Sequence, residues 1–138
     1  MRGAFVETLT SLASEDPSVL LISGDLGFGV LDRYREQLGS QFLNVGVAEQ
    51  NLAGVAAGIA LTGHRVFTYS IGNFPTLRCL EQIRNDICYH EADVTIVTVG
   101  GGMAYGVLGP SHFALEDLAI MRVLPNMTVA APGDPEEV

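Results

Sequence analysis

The chain has 138 residues, 48% hydrophobic and 17% charged, which is enough for one domain with a true core and argues against disorder. A formal net charge of −9 argues against a nucleic-acid or anionic membrane surface, which needs clustered cations. Cys79 and Cys88 have no second pair, make neither a zinc spacing nor a disulfide framework, and suit a reducing cytoplasm.

The opening stretch, MRGAFVETLTSLASEDP, carries acids and no long apolar run, so it does not read as a secretory signal. Its apolar spacing predicts a first helix that stops at Asp16-Pro17. SVLLISGDL reads as a strand buried on both faces, DRYREQLG as a short polar helix closed by Gly39, and QFLNVGV as a second strand. EQNLAGVAAGIALTG predicts a helix of small residues closed by Gly63, and its apolar run within 51–61 is too short to span a bilayer. RVFTYS is a third strand, rich in β-branched and aromatic residues. Pro75 suits the first turn of a helix running to about Tyr89. DVTIVTVGGG is a fourth strand whose glycines open a loop continuing through MAYGVLGPSH. FALEDLAIMRVL predicts a further helix and MTVAAP a fifth strand. GDPEEV reads as the start of a helix with Asp134 as cap and Pro135 at its first position.

This alternation predicts an α/β fold, a three-layer α/β/α domain over residues 1–138 with a mainly parallel sheet. A chain that stops as a helix begins implies a longer subunit truncated at its C-terminus. Ligands of such sheets sit at the carboxyl ends of the strands, which singles out the loops 24–29, 45–50, 70–74 and 100–112. Low charge, 16 glycines and many alanines predict close backbone contacts and a large protein partner.

Glu49 stands at the head of the small-residue helix. An acid in a first turn gains about 0.3–1 kcal/mol from the free amides and the macrodipole, and taken alone capping is the favoured account. The flanking residues leave no solvated face, however, so the side chain is expected to point at a partner or a ligand. A carboxyl taken out of water favours its protonated form and can share a proton with a heterocyclic nitrogen. Phe74 reads on base rate as a core aromatic, but it lies in a loop between Asn73 and Pro75. Phe67 and Tyr69, on the preceding strand, are its rivals as an aromatic face. His112 reads as a polar loop residue and Asp25 as a turn acid beside glycines. Arg78 and Arg84 read first as a solvated helix face, with a place at the subunit boundary as the alternative.

NVGVAEQNLAGVAAGIALTG, YSIGNFPTLRCLEQIRND and GPSHFALEDLAIMRVLPNMTVAAPGDPEEV resemble the pyrimidine-binding domain of the transketolase family of thiamine-diphosphate enzymes. The match is nearest to the C-terminal subunit of split transketolases and covers essentially the whole chain. The resemblance implies the thiamine-diphosphate-binding fold, with Glu49 against N1′ of the cofactor's aminopyrimidine. Proton sharing there favours the imino tautomer, which removes the proton from C2 of the thiazolium; the protein supplies tautomer, orientation and a dry pocket. It further implies that Phe74 stacks on the aminopyrimidine and that His112 faces the substrate channel, where an imidazole suits proton transfer. Ser111 stands where the family has threonine, and Asp25 lies near the cofactor at a subunit interface.

Two positions depart from the family pattern. Leu108 in GVLGPSH replaces an acid that reads the donor's hydroxyl stereochemistry, and Gly100 in TVGGG replaces a histidine. Both changes remove polar contacts to a sugar. Nothing matches the GDG…N motif that holds the diphosphate through Mg²⁺. The resemblance therefore implies that the Mg²⁺ ligands lie on a partner subunit, in a dimer or heterotetramer. The expected reaction is transfer of a two-carbon ketol unit from a ketose donor to an acceptor. The alternatives are an E1β-type subunit of a 2-oxoacid dehydrogenase, a specialised biosynthetic two-carbon transferase, or a non-catalytic assembly module.

Overall fold

The computed structural model describes residues 1–138. Four strands, β1 (Val19–Ser23), β2 (Phe42–Asn44), β3 (Arg65–Ile71) and β4 (Val94–Val99), form one parallel sheet in the order β2-β1-β3-β4. Leu21 of the inner strand β1 pairs with Phe42 on one side and Phe67 on the other, and Tyr69 pairs with Val97. Successive side chains point to opposite faces of a strand. Val19, Leu21, Phe67, Tyr69, Val97 and Val99 accordingly meet the layer that contributes Val6, Leu9 and Tyr34. These come from α1 (Arg2–Glu15) and α2 (Asp32–Gln37). Leu20, Ile22 and Val66 meet α3 (Glu49–Ala60) on the other face. Helices on both faces make the predicted three-layer α/β/α arrangement. Each fully buried Leu, Ile or Val contributes about 1.5–3 kcal/mol.

The expected helix boundaries hold where a specific stop exists. α1 ends beside Asp16, whose Oδ1 accepts hydrogen bonds from the Ser18 amide at 2.8 Å and hydroxyl at 2.6 Å. Gly63, with φ of +96°, closes the turn after α3. α3 buries Leu52, Ala53, Ala56, Ala57 and Ala60. These small side chains let it fit between the sheet and the helical run 77–88, because one set packs on Ile22 and Val66 and the other on Cys79, Ile83 and Ile87.

Four expectations are corrected. The run after Phe74 is not one helix from Pro75. The Thr76 hydroxyl donates to the Gly72 carbonyl at 2.8 Å and holds a turn there. A 3₁₀ turn (Leu77–Cys79), one α turn, α4 (Leu80–Gln82), and a π-helix (Ile83–Cys88) then follow. The wider π winding lets Ile83, Ile87 and Cys88 all be buried. The fifth strand over MTVAAP does not form, because Met127 and Val129 find their burial as side chains against the cluster of Ile83, Ile87 and Met121, without a ladder. The last segment is a turn and not a helix, although Asp134 Oδ1 does accept from the amides of Glu136 (2.8 Å) and Glu137 (3.0 Å) as a cap would. The helix expected from Phe113 starts later, as α5 (Asp117–Arg122), because Ala114 instead forms an antiparallel bridge with Gly102. No helix is long and apolar enough to cross a membrane.

Candidate functional site

Because the strands are all parallel, Ser23, Asn44, Ile71 and Val99 end at one edge of the sheet. The loops leaving that edge carry Asp25, Phe74 and His112, and the helix opening there carries Glu49. Exposed apolar side chains crowd the same loops: Phe28, Val47, Met103, Val107 and Leu108.

Glu49 is only 2% exposed. Its neighbour Ala48 offers no side-chain cap, and the Glu49 carboxylate makes no bond to the helix amides. Oε2 accepts from Arg78 Nη1 at 2.6 Å, while Oε1 is buried with no hydrogen-bond partner. The hydrogen bonds of capping are thus not made. An acceptor taken out of water and left unpaired costs about 1–3 kcal/mol, and such a group calls for an explanation. The backbone at Gly24 comes close as well, since a Cβ there would lie 3.9 Å from Glu49 Cγ. Glu49, Leu52, Thr68, Cys79 and Ile83 line a cavity of about 10 Å³. That holds about one water at most and no ring.

Phe74 is half-buried. The Arg78 guanidinium carbon lies 4.4 Å from its ring centroid, within cation–π range. The His112 ring meets Phe74 edge-on, with centroids 5.1 Å apart and planes at 66°. His112 ends a 3₁₀ turn (Pro110–His112), and its Nδ1 shares a 3.0 Å hydrogen bond with Ser111 Oγ, whose direction follows the tautomer. Asn73 Nδ2 donates to the Ser111 carbonyl at 2.9 Å, which ties the loop after β3 to the loop after β4. Glu49, Arg78, Phe74 and His112 therefore form one continuous chain of contacts. Phe67 and Tyr69 drop out as rivals: they point through the opposite face of the sheet and pack on Phe5, at 6.4 and 6.1 Å between centroids.

Asp25 occupies an adjoining part of the edge. Its φ of +60° is unusual for a residue with a side chain, and Asn44 supports it. Asn44 Nδ2 donates to Asp25 Oδ1 at 2.8 Å, and Asn44 Oδ1 accepts from the amides of Asp25 (3.1 Å) and Gly46 (3.0 Å). No hydrogen bond links Asp25 to the Glu49 chain. Cys79 lies beneath the site with Sγ 3.5 Å from the Phe74 carbonyl oxygen. Burial first, and then the charge of Glu49, push its thiol up to about 12 against the opposing pull of Arg78.

Arg78 corrects the reading of a solvated helix face: its side chain is half exposed, yet its head holds Glu49 and covers Phe74. Spacing alone does not show this, because the chain between Phe74 and Arg78 is a turn and a 3₁₀ step and not a helix. Arg84 is the solvated residue expected, bonded only to the Asn85 side chain at 2.9 Å. Asn44 and Asn73 were not singled out, although asparagines at strand ends commonly hold loop backbone in this way. Gly100 has a physical reason to lack a side chain: its φ is +81°, and a Cβ would sit 2.0 Å from the Tyr105 ring. Leu108 is exposed in its own short turn.

The sequence profile described as "Transketolase, pyrimidine binding domain" matches residues 1–138. The chain belongs to this transketolase domain family. It is 37% identical over 134 residues to an apulose-4-phosphate transketolase subunit of Phocaeicola vulgatus, covering 96% of this chain and 43% of that protein. It is 41% identical over 135 residues to a putative transketolase C-terminal section of Methanocaldococcus jannaschii, covering 97% of this chain and 43% of that one. A solved structure described as a split gene transketolase, inactive beta4 tetramer, superposes with a TM-score of 0.85 at 39% identity, over 99% of this chain and 44% of that chain. This transketolase domain thus spans less than half the length of the curated relatives it matches.

Proposed function

We propose that this chain is the pyrimidine-binding half of a thiamine-diphosphate-dependent enzyme that transfers a two-carbon ketol unit, its diphosphate and Mg²⁺ half coming from a separate subunit. Family membership supports the reaction class. Relatives described as a transketolase subunit and as a C-terminal section support the division between polypeptides. The observation that carries the reading is the buried Glu49 with its unpaired Oε1, beside a half-buried Phe74 at the carboxyl edge of a parallel sheet.

The residues present fit an aminopyrimidine. A buried carboxylate oxygen that lacks a donor can take one from a ring nitrogen, and a Phe face suits an electron-poor ring. When bound, the cofactor supplies a nucleophilic carbon that accepts and passes on the ketol unit. Glu49 holds or releases a proton at that ring nitrogen, in a place from which water is excluded. Phe74 orients the ring. His112, held by Ser111, faces the reacting side and handles protons of substrate hydroxyls. Asp25, fixed by Asn44, adds a polar contact at the neighbouring loop. The exposed apolar loops around the site form the seam with the partner subunit, in a dimer or heterotetramer.

Assembled with its partner, Mg²⁺ and thiamine diphosphate, the protein is expected to cleave a ketose phosphate. Glu49→Gln should lower turnover about 10²–10⁴-fold with the fold intact by circular dichroism. Undiminished turnover in that variant overturns the assignment. Leu108 and Gly100, where family members carry polar residues, make the donor the open variable. Ketose phosphates and pyruvate are therefore run side by side, and turnover of pyruvate alone would move the chain to the 2-oxoacid dehydrogenase class.

A further inference from the structure

In the structure Arg78 does with its own head what an aminopyrimidine would have to do. Its guanidinium is flat and cationic. It donates to the buried carboxylate of Glu49 at 2.6 Å and lies 4.4 Å over the face of Phe74. A protonated aminopyrimidine is likewise flat and cationic, would donate to the same carboxylate, and would stack on the same ring. The guanidinium covers the face of Phe74 on which the ring would stack, so the two groups compete for that face and for the charge of Glu49. The cavity of about 10 Å³ bordered by Glu49 is too small to offer a ring another way in.

We infer that Arg78 is a placeholder, filling the pyrimidine slot of this half-site until the cofactor displaces it. The inference rests on the aminopyrimidine reading above. Two features make displacement feasible. The Arg78 side chain is 47% exposed, so its long stem can swing to water without crossing the core. Glu49 Oε1 has no partner in the closed arrangement, so the pair leaves half of the carboxylate's capacity unused. While Arg78 is seated, the half-site keeps its carboxylate paired and its aromatic face covered.

A placeholder and a structural support predict opposite signs for cofactor affinity. In the assembled enzyme, thiamine diphosphate with Mg²⁺ is titrated by calorimetry into wild type, Arg78→Met and Arg78→Lys, and each cofactor-free form is melted. Loss of one charge-assisted competing bond should tighten binding about tenfold in Arg78→Met while lowering its cofactor-free melting temperature. Arg78→Lys, which keeps the charge but not the flat fork, should bind with intermediate affinity. Unchanged or weaker binding in the variants overturns the inference and assigns Arg78 to supporting the bound state. If Arg78→Met does not fold, the Lys variant decides on the same criterion. A wild-type assembly that takes up no cofactor instead removes the pyrimidine-binding reading itself, and this inference with it.

Discussion

Glu49 and Cys79 line one cavity, and the second reports on the first. Burial and the nearby carboxylate push the Cys79 thiol from 9.0 up to about 12, and burial also raises Cys88. The reactive species of a thiol is its thiolate, so both should be inert in the folded chain. Iodoacetamide at about pH 8 is expected to spare Cys79 and Cys88 natively and to modify both in urea, read by peptide mass. Native labelling of Cys79 at the denatured rate would mean that the wall around Glu49 is open. That Glu49, Phe74 and His112 lie at one edge of the sheet was legible in the sequence, because each belongs to the connection or helix that follows a strand. Arg78 was not. Its position on the chain suggested a helix face, but where its head lands depends on the turn at Thr76 and the 3₁₀ step at Leu77–Cys79, and neither has a plain sequence signature.

At the scale of elements, α3 concentrates what the fold needs to position that carboxylate. Its small residues are its packing surface, and Ala56 is 0% exposed between the helix and Ile22 and Val66. Ala56→Leu should therefore cost about 1–3 kcal/mol by overpacking. Gly58, on the same helix but exposed, would place a Cβ within 4 Å of nothing. Gly58→Ala should stabilise by about 0.5–1 kcal/mol, because it removes chain freedom without a clash. Urea midpoints moving in opposite directions for the two variants check this packing; the same sign for both would contradict it. The inner strands β1 and β3 and the helix α3 were readable because deep burial and Gly63 leave few other solutions, while the less buried edge strands β2 and β4 followed from the alternation of elements. The supposed fifth strand misled because β-propensity reports a fit to a half-buried surface. Met127 and Val129 found one against side chains from the helical layer.

For the molecule as a whole, burial of titratable groups couples the core to alkaline pH. Besides the two thiols, burial pushes the Tyr34 hydroxyl from 10.0 to about 12 and raises that of Tyr69. Tyr34 and Tyr69 belong to the core between the sheet and α1, and the cysteines to the core on the other face, so both layers contribute. The sign follows from proton counting. Above about pH 9 the unfolded chain begins to lose thiol protons and then phenol protons, while the folded chain keeps its own. The unfolded state then binds fewer protons, and raising the pH stabilises it relative to the fold. The stability linked to these groups is complete below about pH 9 and is lost progressively as pH climbs toward the folded values near 12. Urea midpoints measured from about pH 8 to about pH 11 should fall, and Cys79→Ala should flatten the first part of that fall. A flat profile in the unsubstituted protein would mean that these side chains already meet water, and with it that the face of the sheet beneath Glu49 is not closed.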